Sequence, residues 1–249
     1  SHARTVSDAN ASETPDLVYS VRPLVFSYGG NKEELPELEE LERDPEAREA
    51  RRTMLETDPP EHTRIRKLVS RSFTRRAIEK WESTARALIA ETIDGALAEG
   101  KVDFVDAVAR RLPIQMISKL LGVPDRDAEE LFHWADSVVY HADPDFSDVL
   151  YDKDDTDPYR LLPFRSPNSL KVFEYAQQLA AEKTRRPESD VVSMLAGSDD
   201  LTPREFQTFF LLLVITGNET TRHSLSHGAL ALAEFPVTDQ LRITASESI

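Results

Sequence analysis

Cysteine is absent from all 249 residues, which excludes disulfides, thiolate metal sites and a cysteine nucleophile within the chain. Positive charge is in short supply. Lys and Arg number 30 against 45 Asp and Glu, a net charge of −15, so a nucleic-acid groove is not expected. No long hydrophobic run occurs. The apolar stretch Phe209–Ile215 is seven residues, far below the roughly 20 needed to cross a bilayer. No signal peptide and no internal repeat is evident. The simplest expectation is a soluble cytoplasmic protein, long enough to bury a core of its own.

What is present is organised around Thr202–Pro236, TPREFQTFFLLLVITGNETTRHSLSHGALALAEFP. Thr202 as N-cap, Pro203 at the first helical position and Glu205 closing a capping box predict a helix start. Pro236 ends it. About 32 residues at 1.5 Å each make a rod of almost 50 Å. Its apolar run predicts burial in the middle of a helical body. Directly after that run, Thr216-Gly217-Asn218-Glu219-Thr220-Thr221 contradicts helix propensity, and a mid-helix glycine alone costs about 1 kcal/mol relative to alanine. Local rules tend to be broken where function requires it. Gly217 leaves room for something flat or bulky against the backbone. The threonine hydroxyls can bond back to the preceding turn and loosen the ladder. Glu219 beside Thr220 pairs an acid with an alcohol, as a proton relay requires. The plain structural alternative is a buried helix with a Gly/Thr packing kink.

The second informative stretch is Asp58-Pro59-Pro60-Glu61-His62-Thr63-Arg64-Ile65-Arg66. Asp-Pro-Pro ends one element, and a helix follows with His62 and Arg66 at i and i+4 on one face. From Arg64 to Arg76 there are six Arg or Lys and no acid. Either this is a basic surface balancing the acidic segment upstream, or His62 and Arg66 clamp an anion such as a carboxylate or phosphate.

Around these stretches the pattern is helical. Residues 1–15 are expected to be a disordered tail, Asp16–Phe26 a short strand or helix, and Tyr28–Asn31 a turn. Lys32–Glu56 reads as one or two solvated helices interrupted at Pro45. Thr74 caps a helix predicted from Arg75 to Glu99, ended by Gly100, with Trp81 assigned to the core. Asp103 caps Phe104–Leu121, in which Pro113 predicts a kink. Arg126–His141 and Pro167–Arg186 are amphipathic, Asp190–Ala196 is short, and Asp143–Asn168 is a long acidic loop.

Both motifs resemble a known family. Thr216–Thr221 is similar to the distal, oxygen-binding helix of the cytochrome P450s, haem-thiolate monooxygenases whose motif is Ala/Gly-Gly-x-Asp/Glu-Thr-Thr/Ser. Thr216 departs at the first position, which implies a slightly narrower oxygen pocket. Asp58–Arg66, followed by Phe73-Thr74, resembles the helix whose His and Arg hold the haem propionates in bacterial members. Leu112–Pro124 is also very similar to the corresponding helix of that family. The resemblance covers nearly all of residues 16–236 and is nearest to soluble bacterial members acting on steroids and other large hydrophobic substrates.

It implies a mainly α fold, a helical body around a long central distal helix, with residues 16–249 as a partial domain. It further implies haem b held by His62 and Arg66, O2 beside Thr216 and Gly217, Glu219 and Thr220 as the catalytic proton relay, and a ferredoxin docking near Arg64, Lys67 and Arg71. The family's axial cysteine has no counterpart here, nor have its Glu-x-x-Arg pair and cysteine loop. The expectation is therefore part of a monooxygenase, truncated before the haem-thiolate loop and inactive alone. The alternative is a haem-free helper or scaffold. A third reading, zinc on Glu219, His223 and His227 at i, i+4 and i+8, fails on reach, because at most two of them meet one ion.

Overall fold

The computed structural model describes residues 43–150, 154–196, 198 and 200–234. The expectations for the first 42 residues and for Val237–Ile249 lie outside them. Helices are α1 Pro45–Arg51, α2 Glu61–Ser70, α3 Arg75–Glu79, α4 Glu82–Glu99, α5 Arg111–Leu121, α6 Asp125–Val139, α7 Pro167–Arg185, α8 Val191–Ala196 and α9 Pro203–Glu234. A π-helical turn occupies Val105–Ala109, and 3-10 turns occupy Met54–Glu56, Arg71–Phe73, Asp157–Tyr159 and Pro163–Arg165. Among the described residues there is no strand.

Helix α9 is the axis of this body. Its start is the expected capping box: the Glu205 amide donates to Thr202 Oγ1 at 3.2 Å, and the Thr202 amide donates to Glu205 Oε2 at 2.8 Å. The apolar run then supplies Phe209, Phe210, Leu211 and Val214, all buried, to a core shared with Leu121 of α5, Phe132 of α6, Phe173 of α7 and Val192 of α8. Each such side chain contributes about 1.5–3 kcal/mol by leaving water. α5, α6, α7 and the π turn all pack on α9. The last turns of α9 leave this shelter, and Leu230 and Leu232 are more than half exposed.

Two boundaries differ from the sequence expectation. The single helix from Arg75 to Glu99 is two, α3 and α4, broken at Lys80–Trp81. The break lets Trp81 pack against the core, as expected for that residue. The helix expected over Phe104–Leu121 begins under the Asp103 carboxylate, which accepts from the Val105 and Asp106 amides at 2.8 and 3.1 Å. It then widens to a π turn, with the Arg110 amide reaching Val105 O at 2.8 Å. Pro113 lacks an N–H and crowds the carbonyl four residues back, at Ala109. The widened turn ends at that residue, so the expected kink is taken up as a π bulge.

The stops at Gly100 and Gly122 are as expected, each at φ 76°. After Gly122 the chain closes a helix C-terminal motif, with the Val123 amide on Ser118 O at 2.8 Å. The long Asp143–Asn168 segment holds the two 3-10 turns at Asp157–Tyr159 and Pro163–Arg165. Phe164 and Arg165 have positive φ there.

Candidate functional site

The unfavourable stretch of α9 forms an uninterrupted helix. Its threonines do bond backwards: Thr216 Oγ1 donates to Leu212 O at 2.7 Å, and Thr220 Oγ1 to Thr216 O at 2.6 Å. The ladder survives both. Helical geometry sends alternate members to opposite faces. Thr216 and Thr220, one turn apart, are exposed, while Asn218 is buried beside Val214.

Gly217 has a neighbour. A side chain at this position would run into Ile117 of α5, whose Cδ1 overlaps the site of a Cβ and whose Cγ1 stands 2.8 Å from it. What lies against the backbone at Gly217 is therefore an aliphatic side chain of the protein itself. The glycine sets how closely α5 and α9 approach.

Glu219 faces inward. Tyr140, at the C-terminal end of α6, donates to its Oε2 at 2.8 Å, and the Arg222 guanidinium lies 2.6 Å from its Oε1. His223 Nε2 stands 3.1 Å from the same Oε2. Arg222 also donates to the Tyr140 hydroxyl at 3.1 Å and reaches to 3.8 Å from Oδ2 of Asp136, a buried acid of α6. The Asn218 amide donates to the other oxygen of Asp136 at 3.4 Å. Burial raises the pKa of Asp136 to about 6, against the opposing pull of Arg222 and with the repulsion of Glu219 added. Burial, then the bond to Glu219, pushes the Tyr140 phenol up to about 12.

Sequence reasoning missed Asp136, Tyr140 and Arg222. Signals existed for two of them. Arg222 stands three residues after Glu219, a helical pair spacing, and Asp136 stands four after the inward-facing Phe132.

On α2, His62 is half-buried and Arg66 exposed. Among the described residues neither side chain has a hydrogen bond or ion pair. Arg64 is different. It donates to Asp200 O at 2.6 Å and pairs with Glu205, tying α2 to the start of α9. Of the three cations assigned to a docking patch, Arg64 is thus committed within the fold. Lys67 is exposed, without an ion pair among the described residues.

The zinc arrangement is not assembled. His223 rests on Glu219, His227 lies with its ring centroid 6.3 Å from that of His223, and no group of three possible ligands occurs among the described residues. Nor is any helix among them long and apolar enough to cross a membrane.

Comparison with solved structures defines the class. A cytochrome P450 of Mycobacterium marinum in complex with pseudoionone matches 82% of this chain and 49% of its own, at 34% identity and a TM-score of 0.68. A second cytochrome P450, in complex with an acyl carrier protein ligated to hexadec-9Z-enoic acid, matches 79% of this chain at 25% identity and a TM-score of 0.64. The chain has the helical cytochrome P450 fold over the matched part.

Among curated proteins, a steroid C26-monooxygenase of Mycolicibacterium smegmatis is 37% identical over 190 residues, 75% of this chain and 41% of that protein. A methyl-branched lipid omega-hydroxylase of Mycobacterium tuberculosis is 30% identical over 233 residues, 90% of this chain and 50% of that protein. The chain is homologous to cytochrome P450 monooxygenases and spans about two fifths to half the length of these relatives. No protein-family model matches it.

Proposed function

We propose that this chain forms the oxygen-side portion of a haem-dependent monooxygenase that hydroxylates a hydrophobic small molecule, a steroid, terpenoid or lipid, with O2 and electrons from a ferredoxin-type carrier. One observation carries the reading. In a chain related to monooxygenases and lipid hydroxylases, α9 holds a carboxylate inward at Glu219 and presents an alcohol at its open face at Thr220, the next residue.

The residues present fit a haem in part. Two propionates need hydrogen-bond donors, and His62 and Arg66 stand one helical turn apart with no partner among the described residues. An O2 site needs an uncovered helix face, which Thr216 and Thr220 provide. The axial thiolate cannot come from these 249 residues, since none is cysteine. A thiolate-ligated haem, when bound, supplies O2 activation by donating electron density.

The chain's own groups do the rest. His62 and Arg66 bind carboxylates by charge-assisted bonds. Ile117 fills the groove at Gly217 and so sets the depth of the α5–α9 contact. Thr220 Oγ1 spends its proton on Thr216 O, leaving its lone pairs free to accept from water. Rotation of the hydroxyl about Cβ–Oγ1 redirects that proton outward. Glu219, on the inner side, restores it by way of water.

Thr220→Ala tests the relay. In the haem-loaded protein, product formed per electron pair is expected to fall at least about tenfold, at the low end of acid–base effects, while electron consumption continues. Unchanged coupling removes Thr220 from the relay. A haem-free helper is the second reading. The reduced, CO-treated spectrum of the protein as purified from its source separates the two. A thiolate-type Soret band supports the monooxygenase, and a protein that takes up no haem supports the helper.

A further inference from the structure

In the α6–α9 contact Asp136 and Glu219 share the Arg222 guanidinium, which divides itself unequally, 2.6 Å from Glu219 Oε1 but 3.8 Å from Asp136 Oδ2, and His223 Nε2 stands 3.1 Å from Glu219 Oε2. The first is an ion-pair contact without hydrogen-bond geometry, and the second is too long for a hydrogen bond. Glu219 additionally receives the Tyr140 hydroxyl. Asp136, 4% exposed, is left with the Asn218 amide at 3.4 Å as its hydrogen-bond donor. The charged groups facing it are Arg222 and Glu219 from α9 and, more weakly, Arg110 at the end of the π turn. A buried carboxylate with so little donation is costly when ionised.

A second feature points the same way. Asn218 is 1% exposed, and its Oδ1 has no hydrogen-bond partner among the described residues. A buried amide oxygen without a donor is rare. Which end of the amide faces Asp136 follows from the bonding pattern and not from atomic positions. Turned over, Asn218 Oδ1 meets Asp136, and a proton on Asp136 gives it the missing donor. Protonation thus removes a negative charge and gives that oxygen a donor, while the turned-over amide nitrogen gives up its bond to Asp136.

We propose that, of the two acids in the α6–α9 contact, Asp136 is the one that takes up a proton, in place of the donors its buried position lacks, while Arg222 and Tyr140 hold Glu219. Asp136, Tyr140 and Arg222 are then positioning residues for Glu219. Neutral Asp136 leaves the guanidinium to Glu219 and keeps that carboxylate in one orientation. The elevated pKa of Asp136, about 6, agrees with this division of charge. The consequence for catalysis rests on the relay assigned to Glu219 above, whereas the protonation of Asp136 does not.

Carbon-13 carboxyl NMR of the full protein, labelled at Asp and Glu, tests the pair. The resonance lost in Asp136→Asn identifies Asp136. Its midpoint is expected near pH 6, and in Glu219→Gln it should fall by about one pH unit or more, because the repelling charge is gone. A midpoint in the ordinary carboxylate range in the wild type, or one that Glu219→Gln leaves in place, overturns the proposal. Should Asp136→Asn fail to fold, the pH dependence of Tm in the wild type is compared with that in Glu219→Gln. The wild type is expected to lose more stability between pH 5 and 7, and equal slopes overturn the pair. Failure of the titration leaves the Thr220→Ala coupling result standing, so the two readings fail separately.

Discussion

At the scale of single residues, polar groups in this protein divide into those that satisfy one another and those kept available. Arg64 looks, on spacing alone, like its neighbours Arg66 and Lys67, yet it is spent on Glu205 and the Asp200 carbonyl. His62 and Arg66 are not so committed among the described residues. If they hold haem carboxylates, His62→Ala with Arg66→Ala removes two charge-assisted bonds of about 1.5–3 kcal/mol each. Haem retention, read as transfer of haem to apomyoglobin, is then expected to weaken at least about tenfold. An unchanged transfer rate would show that these two side chains do not hold it.

At the scale of elements, the α5–α9 contact is set by Gly217 and Ile117. Gly217 lowers the helix propensity of α9 by about 1 kcal/mol relative to alanine and in return lets Ile117 reach the backbone. Gly217→Val forces that side chain aside. The expected loss is about 1–3 kcal/mol of unfolding free energy, typical of overpacking, measured by urea denaturation. Ile117→Val in the same background should recover part of it, because the two side chains compete for one volume. No loss in Gly217→Val would mean the groove is wider than the structure shows. Pro113 acts at the same scale: it widens the turn before it and does not break α5, so the π turn and α5 can both lie along α9.

At the scale of the whole molecule, stability should carry the signature of Asp136. Burial raises its pKa in the folded state to about 6, well above the ordinary aspartate range, so the folded protein holds that proton more tightly than the unfolded chain. The resulting stabilisation is complete below about pH 4 and is lost as pH rises through about 6. A rise of that size corresponds to the order of 3 kcal/mol, or several degrees in Tm for a domain of this size. Other acids titrate in the same range, so the difference between the wild type and Asp136→Asn is the quantity to follow. It should change sharply between pH 4 and 6 and flatten above 7. A difference independent of pH would mean that Asp136 is ionised throughout.

The elements themselves were legible in the sequence because the rules that make them act over a few residues. Thr202 with Glu205, Thr74, Gly100 and Gly122 start and stop helices through bonds three to five positions away. The apolar run Phe209–Ile215 identified the central helix, and the Asp58–Arg66 and Thr216–Thr221 motifs named His62, Arg66, Glu219 and Thr220. Tertiary structure decided what those residues meet. The bonds from Tyr140 to Glu219 and from Asn218 to Asp136 join positions 79 and 82 apart, set by how α6 lies across α9 and by no local pattern. The same packing placed Ile117 in the space at Gly217 and turned Trp81 into the core by breaking the helix before it. Charge pairing follows packing for a physical reason: a buried carboxylate takes whichever donor the neighbouring helix brings within about 3 Å, and otherwise keeps its proton.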